Sequence, residues 1–169
     1  VPFRTPSDIA AAAGTGVWDI ANIGAEPQRA AVIDFTAAYS EIEASYLVPA
    51  GSAIEAIEEV DRNGVRVSVA AGSAYGLWLE NNLKNAELKA IKGDAFAQFV
   101  DEKLDALAGL RSQLVKETKR LPGSRILAGQ FTAVQQAVGI NKGHPAALAW
   151  LEGFVEELKA SGQIASLID

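Results

Sequence analysis

Val65-Arg66-Val67-Ser68-Val69-Ala70-Ala71-Gly72-Ser73 is the stretch on which the fold turns. Apolar residues alternate with others over 65–70, the period of a strand with one face more buried than the other. Asn63-Gly64 just before it is a turn signal. Gly72-Ser73 ends the strand and leads into a helix expected over 74–83. The rhythm repeats downstream: a strand at 87–91, a helix at 94–103, a strand at 104–107, a helix at 112–120 and a short strand at 125–127. A β-α-β-α-β-α order of this kind predicts parallel strands joined by right-handed crossovers.

Upstream the rhythm is looser. Val1-Pro2-Phe3-Arg4 reads as the end of a strand, and Thr5-Pro6-Ser7-Asp8 as a helix start with proline in the first turn. Residues 17–23 (VWDIANI) read as a buried strand, 28–33 as a short helix and 41–48 as a strand closed by Pro49-Ala50-Gly51. Residues 54–61 read as a helix with Glu55, Glu58, Glu59 and Asp61 on a solvated face. The last third differs again. Residues 132–140 read as extended, 146–160 as a long amphipathic helix with Leu148, Leu151, Phe154, Val155 and Leu158 on one face, and 164–168 as a second short helix. Trp18, Trp78 and Trp150 all sit in apolar stretches and are expected in cores.

Composition narrows the function. Across 169 residues, 21 acids outnumber 15 bases for a net charge of −6, the wrong sign for a protein that displaces counterions from nucleic acid. Anionic membrane surfaces are disfavoured for the same reason. There is no cysteine and one histidine, His144, so disulfides, thiolate chemistry and multi-histidine metal sites are excluded. Carboxylates alone could still hold magnesium or calcium, but no cofactor or metal site is singled out.

Five stretches, in order and spacing, resemble the type II periplasmic solute-binding proteins, in particular the amino-acid branch that serves ABC importers. They are Trp18-Asp19-Ile20-Ala21; Glu26-Pro27-Gln28-Arg29; Ile33-Asp34-Phe35-Thr36 with Tyr39; Val69-Ala70-Ala71-Gly72-Ser73; and Leu104-Asp105-Ala106. The ending, Ile140-Asn141-Lys142-Gly143 and then Phe154 to Ile168, fits as well. The resemblance implies an α/β fold of two lobes, with a small solute held between them and delivered to an ABC permease from the periplasm. Lobe one would comprise residues 1–49 and 134–169 and lobe two 53–130, with crossings near 48–52 and 129–133. Lobe two would be complete. Lobe one would lack its opening strand-helix-strand unit, as in an N-terminally truncated chain, leaving a sheet edge open to pairing with a second copy.

The same resemblance assigns the site. Arg29 would clamp a solute carboxylate, since its planar fork makes charge-assisted bonds worth roughly 1.5–3 kcal/mol each. Taken alone, without the resemblance, Arg29 reads as a solvated helix arginine. Asn22, Ile23 and Gly24 would offer main-chain and side-chain groups to the same carboxylate. Gly72, Ser73 and Ala74 would present N–H groups and a hydroxyl at a helix N-terminus, a role compatible with Ser73 as a plain N-cap. Leu110 falls where amino-acid binders place an aspartate for the α-ammonium, so the resemblance does not carry an ordinary α-amino acid over to this chain. Arg111 beside it could take an anionic or carbonyl group, or be a surface arginine. Two other classes stay open: an enzyme on this scaffold resembling cyclohexadienyl dehydratases, with Glu26, Glu43 or Asp105 as its acid or base, and the sensing domain of a receptor.

Overall fold

The computed structural model describes residues 1–168. In chain order the elements are α1 (Pro6–Ala11), β1 (Ile20–Ala25), β2 (Ile33–Phe35), β3 (Ser40–Val48), β4 (Arg66–Ala70), α2 (Ala74–Asn82), β5 (Glu87–Ile91), α3 (Ala95–Asp101), β6 (Ala106–Leu110), α4 (Arg111–Arg120), β7 (Arg125–Ile126), β8 (Thr132–Asn141), α5 (Pro145–Ala160) and α6 (Gln163–Ile168). Two 3-10 turns, Arg29–Ala31 and Ile57–Glu59, complete the set. The mixed α/β architecture matches the expected class. The chain divides into two compact units. One holds Val1–Glu41 and the chain from Gln135 onward; the other is Ile42–Val134. Strands β3 and β8 each begin in one unit and end in the other.

The Ile42–Val134 unit is the repeating part of the sequence. Strand β4 lies parallel to β5, Arg66 opposite Glu87 through Ala70 opposite Ile91, and parallel to β6, with Val67 opposite Ala106. Strand β3 runs antiparallel to β6, Ala44 facing Leu110, and β7 lies antiparallel along β3 at Leu47 and Val48. Alternation along β4 has a direct consequence in packing. Val67 and Val69 join Tyr46, Val60, Leu79, Ala106, Ala108 and Leu127 in one apolar cluster. On the neighbouring cluster Leu47, Phe96, Phe99, Leu104, Leu107 and Leu114 pack together. Ser68, fully buried between these strand neighbours, donates its hydroxyl to the Ala95 carbonyl at 2.8 Å and so leaves no hydrogen bond unmade.

In the other unit β8 is the central strand. Strand β1 pairs antiparallel with it, Ile20 opposite Ile140 through Ala25 opposite Gln135, and β2 pairs antiparallel with it at Asn141 to Gly139. Helix α1 starts where its sequence says it should: Thr5 Oγ1 accepts the Asp8 N–H while the Asp8 carboxylate accepts the Thr5 N–H. Asn141 then ties the chain down. Its Oδ1 accepts from Gly14 N–H and its Nδ2 donates to the Trp18 carbonyl, both at 2.8 Å.

Several sequence expectations are corrected. Residues 17–23 do not form the strand as a block; it runs Ile20–Ala25, because Trp18 turns inward and donates Nε1–H to the Ile9 carbonyl instead of entering the ladder. Val1–Arg4 is irregular rather than a strand end. Residues 28–33 give only a 3-10 turn, since Ile33 leaves to pair with Asn141. The expected helix at 54–61 shrinks to Ile57–Glu59. Glu59 there spends its carboxylate on the Glu55 and Ala56 N–H groups, and Asp61 spends its own on those of Lys84, Asn85 and Ala86. The strand expected at 104–107 is shifted to Ala106–Leu110: Leu104 N–H bonds back to the Phe99 carbonyl of α3, and Asp105 bonds to Arg66 at the start of β4. Trp150 is not in a core. It is 67% exposed and stacks on Phe154 at 5.5 Å on the outer side of α5, while Leu151 and Val155 face inward.

Candidate functional site

The candidate residues fall into two groups, one in each unit. In the β8-centred unit, Arg29 opens the 3-10 turn that follows β1. It is only 4% exposed, and its Nη1 donates to the Gly24 carbonyl at 2.7 Å. Glu26, also buried, sets that turn: its Oε2 accepts the N–H groups of Gln28 and Arg29. Burial pushes the Arg29 pKa below its ordinary value, while the Glu26 carboxylate pulls the other way. Pro27 lies between Glu26 and Gln28, where its missing N–H costs nothing. The result is a guanidinium held in one orientation at the end of a strand.

Gly24 is buried in β1 opposite Gln136, and its carbonyl is the acceptor for Arg29. Ile23 is buried with its side chain in the core, so only its main chain is available to a solute. Asn22 behaves differently. It is exposed and lines an apolar groove of about 390 Å³ with Ile20, Tyr39, Phe154 and Leu167, away from the carbonyl that Arg29 engages. The resemblance assigns Asn22 and Arg29 to the same carboxylate. The structure gives them different neighbours.

In the parallel-sheet unit, Ser73 is the N-cap of the nine-residue α2. Its Oγ accepts the Gly76 N–H at 3.0 Å and donates to the Ala70 carbonyl at 2.8 Å. Gly72 reaches this turn with φ +69°, a left-handed conformation that glycine adopts without strain. Ala74 is the first residue of the helix. Tyr75 follows, hydrogen-bonded to Ser73 and with its phenol pKa raised by burial. This places a hydroxyl and a helix N-terminus at the C-terminal end of β4, where parallel α/β sheets take ligands.

Leu110 ends β6 opposite Ala44 and stands at the N-cap of α4 without a side-chain hydrogen bond. Arg111 is engaged within the unit. Its Nε donates to Glu43 at 2.5 Å, and its Nη2 donates to the Gly129 carbonyl. His144 stands at the start of α5 and makes no capping bond. Sequence reasoning missed the part played by Glu43 and Asp61. Their partners lie 68 and about two dozen positions away, respectively, so no local pattern signals them. Among the described residues no group of three or more His, Cys, Asp or Glu could hold a metal ion. No helix among them is long and apolar enough to cross a membrane.

Over residues 1–169 the sequence matches the model for bacterial extracellular solute-binding proteins, family 3, and the chain belongs to that family. No curated protein matches. Among solved structures, an ancestral amino acid-binding protein, described as a precursor of cyclohexadienyl dehydratase, is 24% identical. It superposes with a TM-score of 0.78, over 99% of this chain and 73% of its own. A binding component of an ABC transporter from Wolinella succinogenes, complexed with lysine, is 20% identical with a TM-score of 0.79, over 99% and 75%. An amino acid ABC transporter substrate-binding protein from Streptococcus pneumoniae, bound to L-arginine, is 18% identical with a TM-score of 0.78, over 99% and 73%. At these identities the likeness shows a shared fold, that of the two-lobed periplasmic binding proteins. Solute binding outside the cytoplasm is the business of the family.

Proposed function

We propose that this chain is the extracytoplasmic binding component of an ABC importer and captures a small solute through its carboxylate. The observation that carries this reading is the fixed guanidinium of Arg29. A fork already held by the Gly24 carbonyl and by the turn that Glu26 sets loses little freedom when a planar carboxylate docks on it, so more of each charge-assisted bond is kept as affinity. Ser73 and the N-terminus of α2 are a second group of polar atoms, in the other unit, suited to an anionic group of a solute. Leu110 offers an α-ammonium no charge, which favours a carboxylate whose amino group is absent or substituted.

Capture fits the carboxylates better than catalysis does. Glu26 is spent on two backbone N–H groups, Glu43 on Arg111 and Asp105 on Arg66. Each of the three is engaged with partners of its own unit.

A thermal-shift screen against L-arginine, L-lysine, L-glutamine and carboxylates without an α-amino group tests the reading. A ligand that binds only the folded state stabilises it by about 2.7 kcal/mol at a hundred times its Kd. The expected result is a rise in Tm with at least one carboxylate and no rise in Arg29→Ala. Arg29→Lys keeps the charge but not the fork, and is expected to lose most of the shift while remaining folded. An undiminished shift in Arg29→Ala would overturn the clamp.

A further inference from the structure

The chain passes between its two units at two places only, within β3 at Glu41–Ile42 and within β8 at Val134–Gln135. Just inside the second unit, one side chain reaches both approaches. Arg111 follows β6 directly; β3 lies beside β6, with Ala44 opposite Leu110. On the far side of β3 runs the segment that leads into β8, where Leu127 N–H donates to the Tyr46 carbonyl and Phe131 N–H to the Ala44 carbonyl. Gly129 lies between these two rungs at φ +78°, and its carbonyl accepts from Arg111 Nη2. Arg111 Nε takes Glu43, one residue past the first crossing. A single guanidinium at the end of β6 thus holds both β3, through Glu43, and the segment that leads into β8, through Gly129.

We propose that Arg111 is a positioning residue that fastens the second-unit ends of both crossing strands to β6, so that bending between the units is confined to residues nearer Glu41 and Gln135. A surface ion pair alone is worth little, and the Arg111 and Glu43 side chains are 33% and 55% exposed. The third partner changes this. The fork addresses a carboxylate and a carbonyl from one rigid plane, an arrangement a lysine ammonium cannot reproduce. Gly129 matters for the same reason, since its left-handed backbone presents the carbonyl between the two rungs. Ser45 reinforces the arrangement from below, its buried Oγ donating to the Leu127 carbonyl at 3.1 Å.

The test is native-state hydrogen exchange on the whole chain without ligand, which keeps it independent of any solute. Arg111→Met is expected to speed exchange of the Phe131 amide by about tenfold, with β4 and β5 amides unchanged. Arg111→Lys is expected to behave like Arg111→Met. Because Glu43→Leu removes part of the same contact, the Arg111→Met/Glu43→Leu double variant should exchange at Phe131 no faster than Arg111→Met alone. Unchanged exchange at Phe131, equal acceleration at every amide, or additive effects in the double variant would each overturn the proposal.

Discussion

Asp61 shows how much one side chain can organise. Its carboxylate accepts three successive backbone N–H groups, from Lys84, Asn85 and Ala86, and so anchors the loop between α2 and β5. Those bonds hold its pKa below the ordinary 3.8. The stabilisation is therefore fully present above 3.8 and is lost as pH falls through the lower folded-state value. Asp61→Asn is expected to cost about 1 kcal/mol at neutral pH, limited by the solvent around the loop. The difference from wild type should vanish in strong acid, where the native carboxyl is protonated as well. Urea unfolding at a series of pH values measures both, and a gap that stays constant down to the lowest pH would remove the carboxylate from the explanation.

At the level of the element, the turn from β4 into α2 is packed too closely for a side chain at Gly76. A Cβ there would lie 2.7 Å from Ser73 Oγ and 3.0 Å from the Ala70 carbonyl oxygen. Alanine gains about 1 kcal/mol of helix propensity, but overpacking costs about 1–3 kcal/mol, and displacing Ser73 breaks its bond to the Gly76 N–H. Gly76→Ala is expected to lower the urea midpoint, with the same sign at any solute concentration. A raised midpoint would mean that the turn relaxes freely and that Ser73 is not held where the site needs it.

For the molecule as a whole, apolar burial is uneven. Both clusters of buried residues named above belong to Ile42–Val134. Helix α6, in the other unit, buries no residue, and its Leu167 is 82% exposed. Amides in β4 are thus expected to exchange only by opening of the second unit, and those of α6 at least a hundredfold faster, through local fraying. Equal protection of the two would show that α6 is anchored by more than its own contacts.

The sequence by itself determined the local alternation. Val65 to Ala70, the Thr5–Asp8 capping box, the Asn63-Gly64 turn and the heptad-like face of α5 each depend on neighbours a few positions away, and their elements formed within a residue or two of expectation. The family motifs around Arg29 and Ser73 were legible for the same reason. Tertiary structure alone decided the rest. Trp150 has the apolar neighbours of a core residue, yet helix rotation sends it outward; 54–61 has helical composition, yet Glu59 and Asp61 find better acceptor work on backbone N–H groups. Arg111 was legible only as a candidate for an anionic or carbonyl group of a solute or as a surface arginine. Its partners at Glu43 and Gly129 come within reach only once β3 lies between β6 and the segment that leads into β8, and no one-dimensional period encodes which segments those will be.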